Sequence, residues 1–529
     1  MERRERGSRA QAAGVVRVGT FVLMTALQAG AQAPLPDGAE FQVNTYTTSA
    51  QRFPHVAAAA NADFVVVWDS FVSPTDPNDS IQGQRYASDG TPLGDQIQVN
   101  AYTTNSQTLS SVASDPDGDF VVVWTSLGPR GTDSYGYSIQ GRRFASDGTA
   151  LDDQFQVNSY TGGSEDLAAA AMEADGGFVV VWRSLGSPGT DFYGYSIQGR
   201  RFGSDGTALN DQFQVNTYTT GRQDHPSVAV DSDGDFVVVW QSRGSFNLPA
   251  PDGSDASIQG RRYASDGVPR GPEFQVNAYT PAYELSPSVA TEADGDFHVA
   301  WTSVGSLGPD TSGGSIESRR FGSDGTAIGT EFQINDHTTG DQSEPSLTME
   351  PDGDFVVAWM SNGSAGTDTS LTSIQARRFA SDGTADGPGF QVNTDTESYQ
   401  RLPSVATGAD GGFVVVWDSF VSYVDLDIRG QRFSRASTTT STTSTTTTST
   451  TSTTSTSTST TATSTTTSST TTTLETDRVT ICHEAGKRGV TIEIHERALR
   501  KHLRHGDRVG ACGTLRIGKG ANARKQARR

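Results

Sequence analysis

The densest candidate ligands in the sequence are two short acidic stretches. Asp115, Asp117 and Asp119 fall within five residues, and so do Asp231, Asp233 and Asp235. Calcium takes six to eight oxygen ligands from such carboxylates. The spacing here is compressed, and no distal acidic ligand follows, so the same residues also suit hairpin turns with charged surfaces. A second constellation lies near the C-terminus, where both cysteines, Cys482 and Cys512, stand with His483, His495, His502 and His505. Two readings stay open there. An exported chain commonly pairs two cysteines as a disulfide, here Cys482–Cys512. Alternatively, a helix over 496–504 places His502 and His505 on one face, and with Cys482 and Cys512 they supply the four ligands of a zinc site. Zinc and calcium are thus the only cofactors the residue types raise.

Catalytic signatures are missing. There is no Gly-x-Ser-x-Gly elbow, and His483-Glu484 and His495-Glu496 lack the second histidine at zinc-protease spacing. Ser-Asp-Gly-Thr segments look a little like sialidase Asp boxes without the trailing aromatic. His55, His225, His298 and His337 are scattered among different parts of the chain. Variable segments such as 127–137, 185–195, 243–256 and 304–314 carry Tyr135, Tyr137, Tyr193 and Tyr195, which suit stacking on sugar rings or packing on a partner.

One phrase must position all of these. Phe-Val-Val-Val-Trp or a near copy ends at Trp68, Trp124, Trp182, Trp240, Trp301, Trp359 and Trp417, which are all seven tryptophans. The intervals are 56, 58, 58, 61, 58 and 58 residues, and a fixed period is an internal repeat. Each unit reads as four short strands, for example Pro226–Ala229, Phe236–Trp240, Ser257–Tyr263 and Phe274–Asn277. Asp-Gly turns lie between the first and second and after the third. The second is apolar on both faces, as a strand buried on both sides must be. Small residues in the first suit an innermost position. The chain enters on an outer-strand phrase, Phe41–Asn44, and leaves on a third-strand phrase, Ile428–Phe433. Pairing those two phrases would close the array and remove its free edges. The expected fold is therefore all-β, a seven-bladed β-propeller over 34–435. An arginine recurs in every third strand (Arg85, Arg143, Arg201, Arg262, Arg320, Arg378 and Arg432), as expected of a structural partner rather than a catalytic group.

The order Pro-Ser-Val-Ala, Asp-Gly, apolar strand, Arg-Arg-Phe resembles the blades of secreted bacterial TolB-like and WD40-like propellers. Val479–His483 and His502–Cys512 look like a small Cys/His module at the ends of secreted bacterial surface proteins. In place of its usual Pro-rich turn stands Glu484-Ala485-Gly486-Lys487.

The flanking segments complete the organisation. Residues 1–33 read as a cleavable signal peptide: five arginines, a short apolar run at 21–27 and Ala31-Gln32-Ala33. Residues 436–474 are a Ser/Thr-rich, disordered linker, with Ser437–Thr473 interrupted only by Ala462. Residues 475–529 form the basic Cys/His terminal module. The net charge of −21 divides into +3 for 1–33, −32 for 34–474 and +8 for 475–529. An acidic body excludes nucleic acid as a partner. No later segment is apolar over the roughly 20 residues of a transmembrane helix. The expectation is a monomeric, secreted or surface-displayed, non-enzymatic propeller that binds an extracellular glycan or protein. A secreted polysaccharide hydrolase or lyase using the rim or channel, and a purely structural surface protein, are the alternatives.

Overall fold

In a computed structural model the described residues are 33–435, apart from 72, 74–75, 77, 129–135, 187–193, 245–254, 282, 306–309, 311–312, 365, 369–370 and 421–425. For the tail, the backbone of 478–485, 488–495 and 508–509 is described. The described residues form strands and turns, with no helix, hence none that is long and apolar enough to cross a membrane.

Residues 33–435 build a β-propeller-like array of repeated antiparallel sheets. Unit three is representative. Its first strand, Ser164–Met172, pairs with Phe178–Leu185, which pairs with Tyr195–Phe202, which pairs with the short outer strand Phe213–Gln214. The same succession occurs in six other units. Strand order follows the hydrophobic pattern. All seven Phe-x-x-x-Trp strands sit between neighbouring sheets, and every tryptophan is buried. One apolar cluster joins each pair of adjacent units; Ala113, Val121 and Val123 of unit two, for example, pack with Phe178, Val180 and Trp182 of unit three. A glycine in most third strands makes room for the outer phenylalanine. A Cβ on Gly260 would lie 2.7 Å from Phe274, and one on Gly430 equally close to Phe41.

The last unit is completed by the start of the array. Phe41 and Gln42 pair with Gly430 and Arg429, and Leu35 and Pro36 add a further short strand beside Ser434 and Phe433. Asn44 anchors this joint: its side chain accepts from the Ile428 amide at 2.7 Å and donates to Asp427 at 2.9 Å. First strands neighbour one another in sequence order, and the last of them, Gln400–Thr407, packs against the first, Gln51–Ala58.

The recurrent third-strand arginines tie units together. Arg85 donates to the Asp147 carbonyl of the next unit at 2.6 Å, and Arg143, Arg262 and Arg432 reach Ser204, Ser323 and Ser88 in the same way. Arg320 and Arg378 instead bridge to Glu292 and Glu350 in their own units. In the tail, Arg478–Ala485 pairs with Arg488–His495 and with Arg508–Val509.

Candidate functional site

The meander gives the array two rims. One carries the hairpin turns between first and second strands and between third and outer strands. The other carries the connections from second to third strands and the entry into each first strand.

On the turn rim the acidic triplets act as turn builders. The Asp115 carboxylate accepts from the Asp117 and Asp119 amides, both at 3.0 Å, and Asp119 accepts from Ser146 N at 2.8 Å. Asp231 accepts likewise from Asp233 and Asp235, and Asp235 also pairs with Arg270 at 2.5 Å. Burial, then repulsion from Asp235 and Asp233, pushes the Asp231 carboxyl up to about 7. One trio of carboxylates with oxygens within 4.8 Å of one another was not singled out by sequence: Glu292, Asp294 and Asp296. There the Arg320 guanidinium supplies positive charge, 2.6 Å from Glu292 and 3.2 Å from Asp296. A cavity of about 290 Å³ also opens on this rim, where Ala59 of unit one takes the place of the acidic turn residue of unit two, Asp115.

The loop rim is organised differently. Every first strand is bulged at one equivalent place, and the bulged residue has positive φ: Phe53, Leu109, Leu167, His225, Ser286, Glu344 and Leu402, at 48° to 55°. Such conformations are rare for non-glycine residues and cluster at functional sites. The next residue is proline in five units, which brings no N–H that the interrupted ladder would leave unpaired. Side chains after the tryptophan of the preceding unit hold the bulged amides. Asp69 accepts from Leu109 N at 2.7 Å, Asp418 from Phe53 N, and Thr302 from Glu344 N at 3.2 Å. Asp69 and Asp418 are buried, which pushes their carboxyls up to about 7 and about 6.

Around this inner circle the seven residues sort into two arcs. Units seven, one, two and three contribute Leu402, Phe53, Leu109 and Leu167; units four, five and six contribute His225, Ser286 and Glu344. Ser286 donates its hydroxyl to Glu344 at 3.3 Å. His225 lies within electrostatic reach of Glu344 two units away. Its imidazole is open to solvent yet walled by protein, and burial lowers its pKa, with Arg183 and Arg243 acting in the same direction and Asp224 and Glu344 against it. A hydroxyl and a carboxylate thus meet, with a neutral imidazole in electrostatic reach of them. This set can accept, hold and return a proton.

Aromatic side chains stand on the same rim. Phe71, Tyr137, Tyr283 and Tyr399 are 48%, 39%, 49% and 43% exposed. Arg52 lies 5.4 Å from the Phe71 ring and Arg401 4.3 Å from Phe420, against which Tyr399 packs edge-on at 5.6 Å. Of the four rim tyrosines read from sequence, Tyr137 is exposed, whereas Tyr195 stacks on Arg183 and Arg222 at 4.4 and 4.8 Å. Tyr135 and Tyr193 lie outside the described residues, as do His502, His505 and Cys512. Cys482 lies on the strand Arg478–Ala485, with its backbone opposite Arg508. The helix expected over 496–504 is also outside the described residues.

Neither a family model nor a curated protein sequence matches the chain. Solved structures do. A protein of unknown function from Dyadobacter fermentans is similar at a TM-score of 0.44 and 10% identity over 76% of this chain and 99% of that one. The polysaccharide lyase Uly1 is similar at 0.45 and 11%, over 77% and 94%. The NanB sialidase of Streptococcus pneumoniae is similar at 0.40 and 9%, over 76% and 71%. The expectation of a non-enzymatic binding propeller is corrected by this set: where these structures carry a printed activity it is enzymatic, which stands with the secreted hydrolase or lyase alternative. Likeness at this level concerns the chain path, so the chemistry is argued from this chain's own side chains.

The sequence reading missed His225, Ser286 and Glu344. A signal for them existed: the residue before Pro-Ser-Val, compared across units, changes from apolar to polar in three consecutive repeats.

Proposed function

We propose that the chain is an exported, seven-bladed propeller enzyme that cleaves a polysaccharide at the inner circle of the loop rim. The observation that carries this reading is the polar arc: three neighbouring bulges bear a neutral imidazole, a hydroxyl and a carboxylate, while the other four bear only hydrocarbon. Structural repetition would place the same residue type in every unit. Chemistry needs the symmetry broken.

Cleavage of a glycosidic bond requires a base on one side and a proton at the departing oxygen on the other. His225 suits the base, because its lowered pKa keeps it neutral near pH 7. Glu344 accepts from the Ser286 hydroxyl and, as a nearby negative charge, favours the imidazolium that forms when His225 takes a proton and then returns it to the departing oxygen. The exposed aromatics of the rim offer flat apolar faces for pyranose rings, and Arg52, stacked on Phe71, offers donors for hydroxyl or carboxylate groups. Export follows from the leader at 1–33, and the Ser/Thr segment would act as a spacer.

The test is incubation of the purified chain with a panel of neutral and uronate-containing polymers while new reducing ends are counted. Product formation that His225→Ala and Glu344→Gln abolish supports the reading. An unsaturated, ultraviolet-absorbing product marks a lyase, and reducing ends alone mark a hydrolase. No product from any polymer, or product unaffected by both substitutions, overturns it.

A further inference from the structure

Unit five departs from its siblings inside the sheet. In units one to three a glutamine ahead of the outer strand donates to a glutamine of the third strand: Gln96 to Gln82 at 3.1 Å, Gln154 to Gln140 at 3.3 Å, and Gln212 to Gln198 at 3.2 Å. The third-strand glutamine then donates to a serine two residues back, as Gln82 does to Ser80 at 3.0 Å. In unit five the corresponding residues are Glu331, Glu317 and Ser315.

Glu331 keeps one half of the glutamine's role. Its Oε2 accepts from the Ala278 and Tyr279 amides at 2.6 and 3.3 Å, as Gln154 Oε1 accepts from Ala101 and Tyr102. Its other oxygen therefore takes the place of the donating amide and turns to Glu317. That oxygen, Oε1 of Glu331, is buried without a hydrogen-bond partner. So is Oε2 of Glu284, which replaces a third glutamine of the network and is wholly buried. Ser315 has reversed the part of its siblings and now donates to Glu317 at 3.1 Å, and Ser303 donates to Glu284 at 3.2 Å.

Two carboxylates facing each other inside a sheet do not both ionise. The surrounding charges make ionisation harder still. Glu284 on the first strand and Asp310 in the adjoining loop add negative charge, and Arg319 on the third strand, acting on Glu331, is the cation that opposes them. We propose that Glu317 and Glu331 share one proton, which bridges the two side chains where the other units use an amide hydrogen. Unit five is then a pH-sensitive clasp, closed in acid and repelled open as rising pH removes the proton. This inference stands apart from the proposed catalytic function.

Burial pushes the Glu317 carboxyl up to about 7 and the Glu284 carboxyl up to about 8, and raises that of Glu331. The folded chain therefore holds protons that the unfolded chain has already released above the ordinary carboxylate range. Stability contributed by these groups is full in acid and falls as pH rises through the folded values.

The experiment is thermal unfolding of the full chain as wild type, Glu331→Gln and Glu317→Gln, at about pH 5 and about pH 8.5. Glu331→Gln restores the donor that three sibling units use, so it is compatible with the fold. The expected result is near-equal melting in acid, with both variants about 2–4 °C above wild type in alkali. Variants that melt below wild type in alkali, or share its pH slope, overturn the proposal. Calcium that raises the melting temperature of wild type but of neither variant would mean a cation rather than a proton joins the pair, and would also overturn it.

Discussion

The two arcs of the inner circle share one backbone and differ in chemistry. Leu109 and Ser286 occupy the same bulge, with φ of 55° and 49°, and each lies on a first strand with the same break in register. Leu109 is held by a buried Asp69, while Glu344, next to Ser286, is held by Thr302. The scaffold is therefore paid for once and repeated, and only side chains decide which arc can move a proton. The contrast teaches that in a repeat protein the site is found by asking where equivalent positions stop being equivalent.

The sharpest way to break the contrast is to remove a titratable group from the polar arc. Glu344→Gln or His225→Ala should lower the turnover number roughly 10²- to 10⁴-fold, as expected when a general base or the carboxylate that supports it is lost, with little change in melting temperature, since His225 is exposed and Glu344 only half-buried. Next in size is the pH response. Because burial lowers the His225 pKa, the base form persists through neutrality. Activity should hold at neutral pH and fall only as the medium becomes more acidic than the ordinary histidine range, and Glu344→Gln should move that limb further into acid, since a neighbouring carboxylate that favours the imidazolium would be gone. A rate–pH profile reads both. Ser286→Ala should cost about 10-fold in kcat/KM, the scale of one hydrogen bond to a charged group. Phe71→Ala or Tyr399→Ala should raise KM several-fold and leave kcat unchanged if the rim aromatics serve only to bind sugar. Smallest of all, Leu109→Ala on the apolar arc should leave turnover within about 2-fold of wild type and cost about 1 kcal/mol in denaturant unfolding, because its side chain is only half-buried.

Much of the architecture was legible before any coordinates. The tryptophan phrase marks strands that must be buried on both faces, and the indoles indeed donate to a first-strand glutamine in most units, as Trp68 does to Gln51 at 2.9 Å and Trp240 to Gln223 at 3.0 Å. The pairing of Phe41 with Gly430 was legible too, because an outer phrase without a blade and a blade without an outer phrase can satisfy each other. The site was not. His225, Ser286 and Glu344 are 58 or 61 residues apart and flank prolines in otherwise ordinary strands; what they share is a place at the bulge, which no local pattern announces. The acidic turns attracted attention for the opposite reason. Their carboxylates are close in sequence, yet Asp115 and Asp231 each use one oxygen to accept from two amides of their own turn. Proximity along the chain drew attention to one rim and hid the other.

The most direct measurement is product release from one susceptible polysaccharide by wild type, Glu344→Gln and Leu109→Ala, assayed side by side at equal folded concentration. The polar arc as the working arc predicts full activity for Leu109→Ala and almost none for Glu344→Gln. Equal loss in both variants, or equal activity in all three proteins, would contradict it.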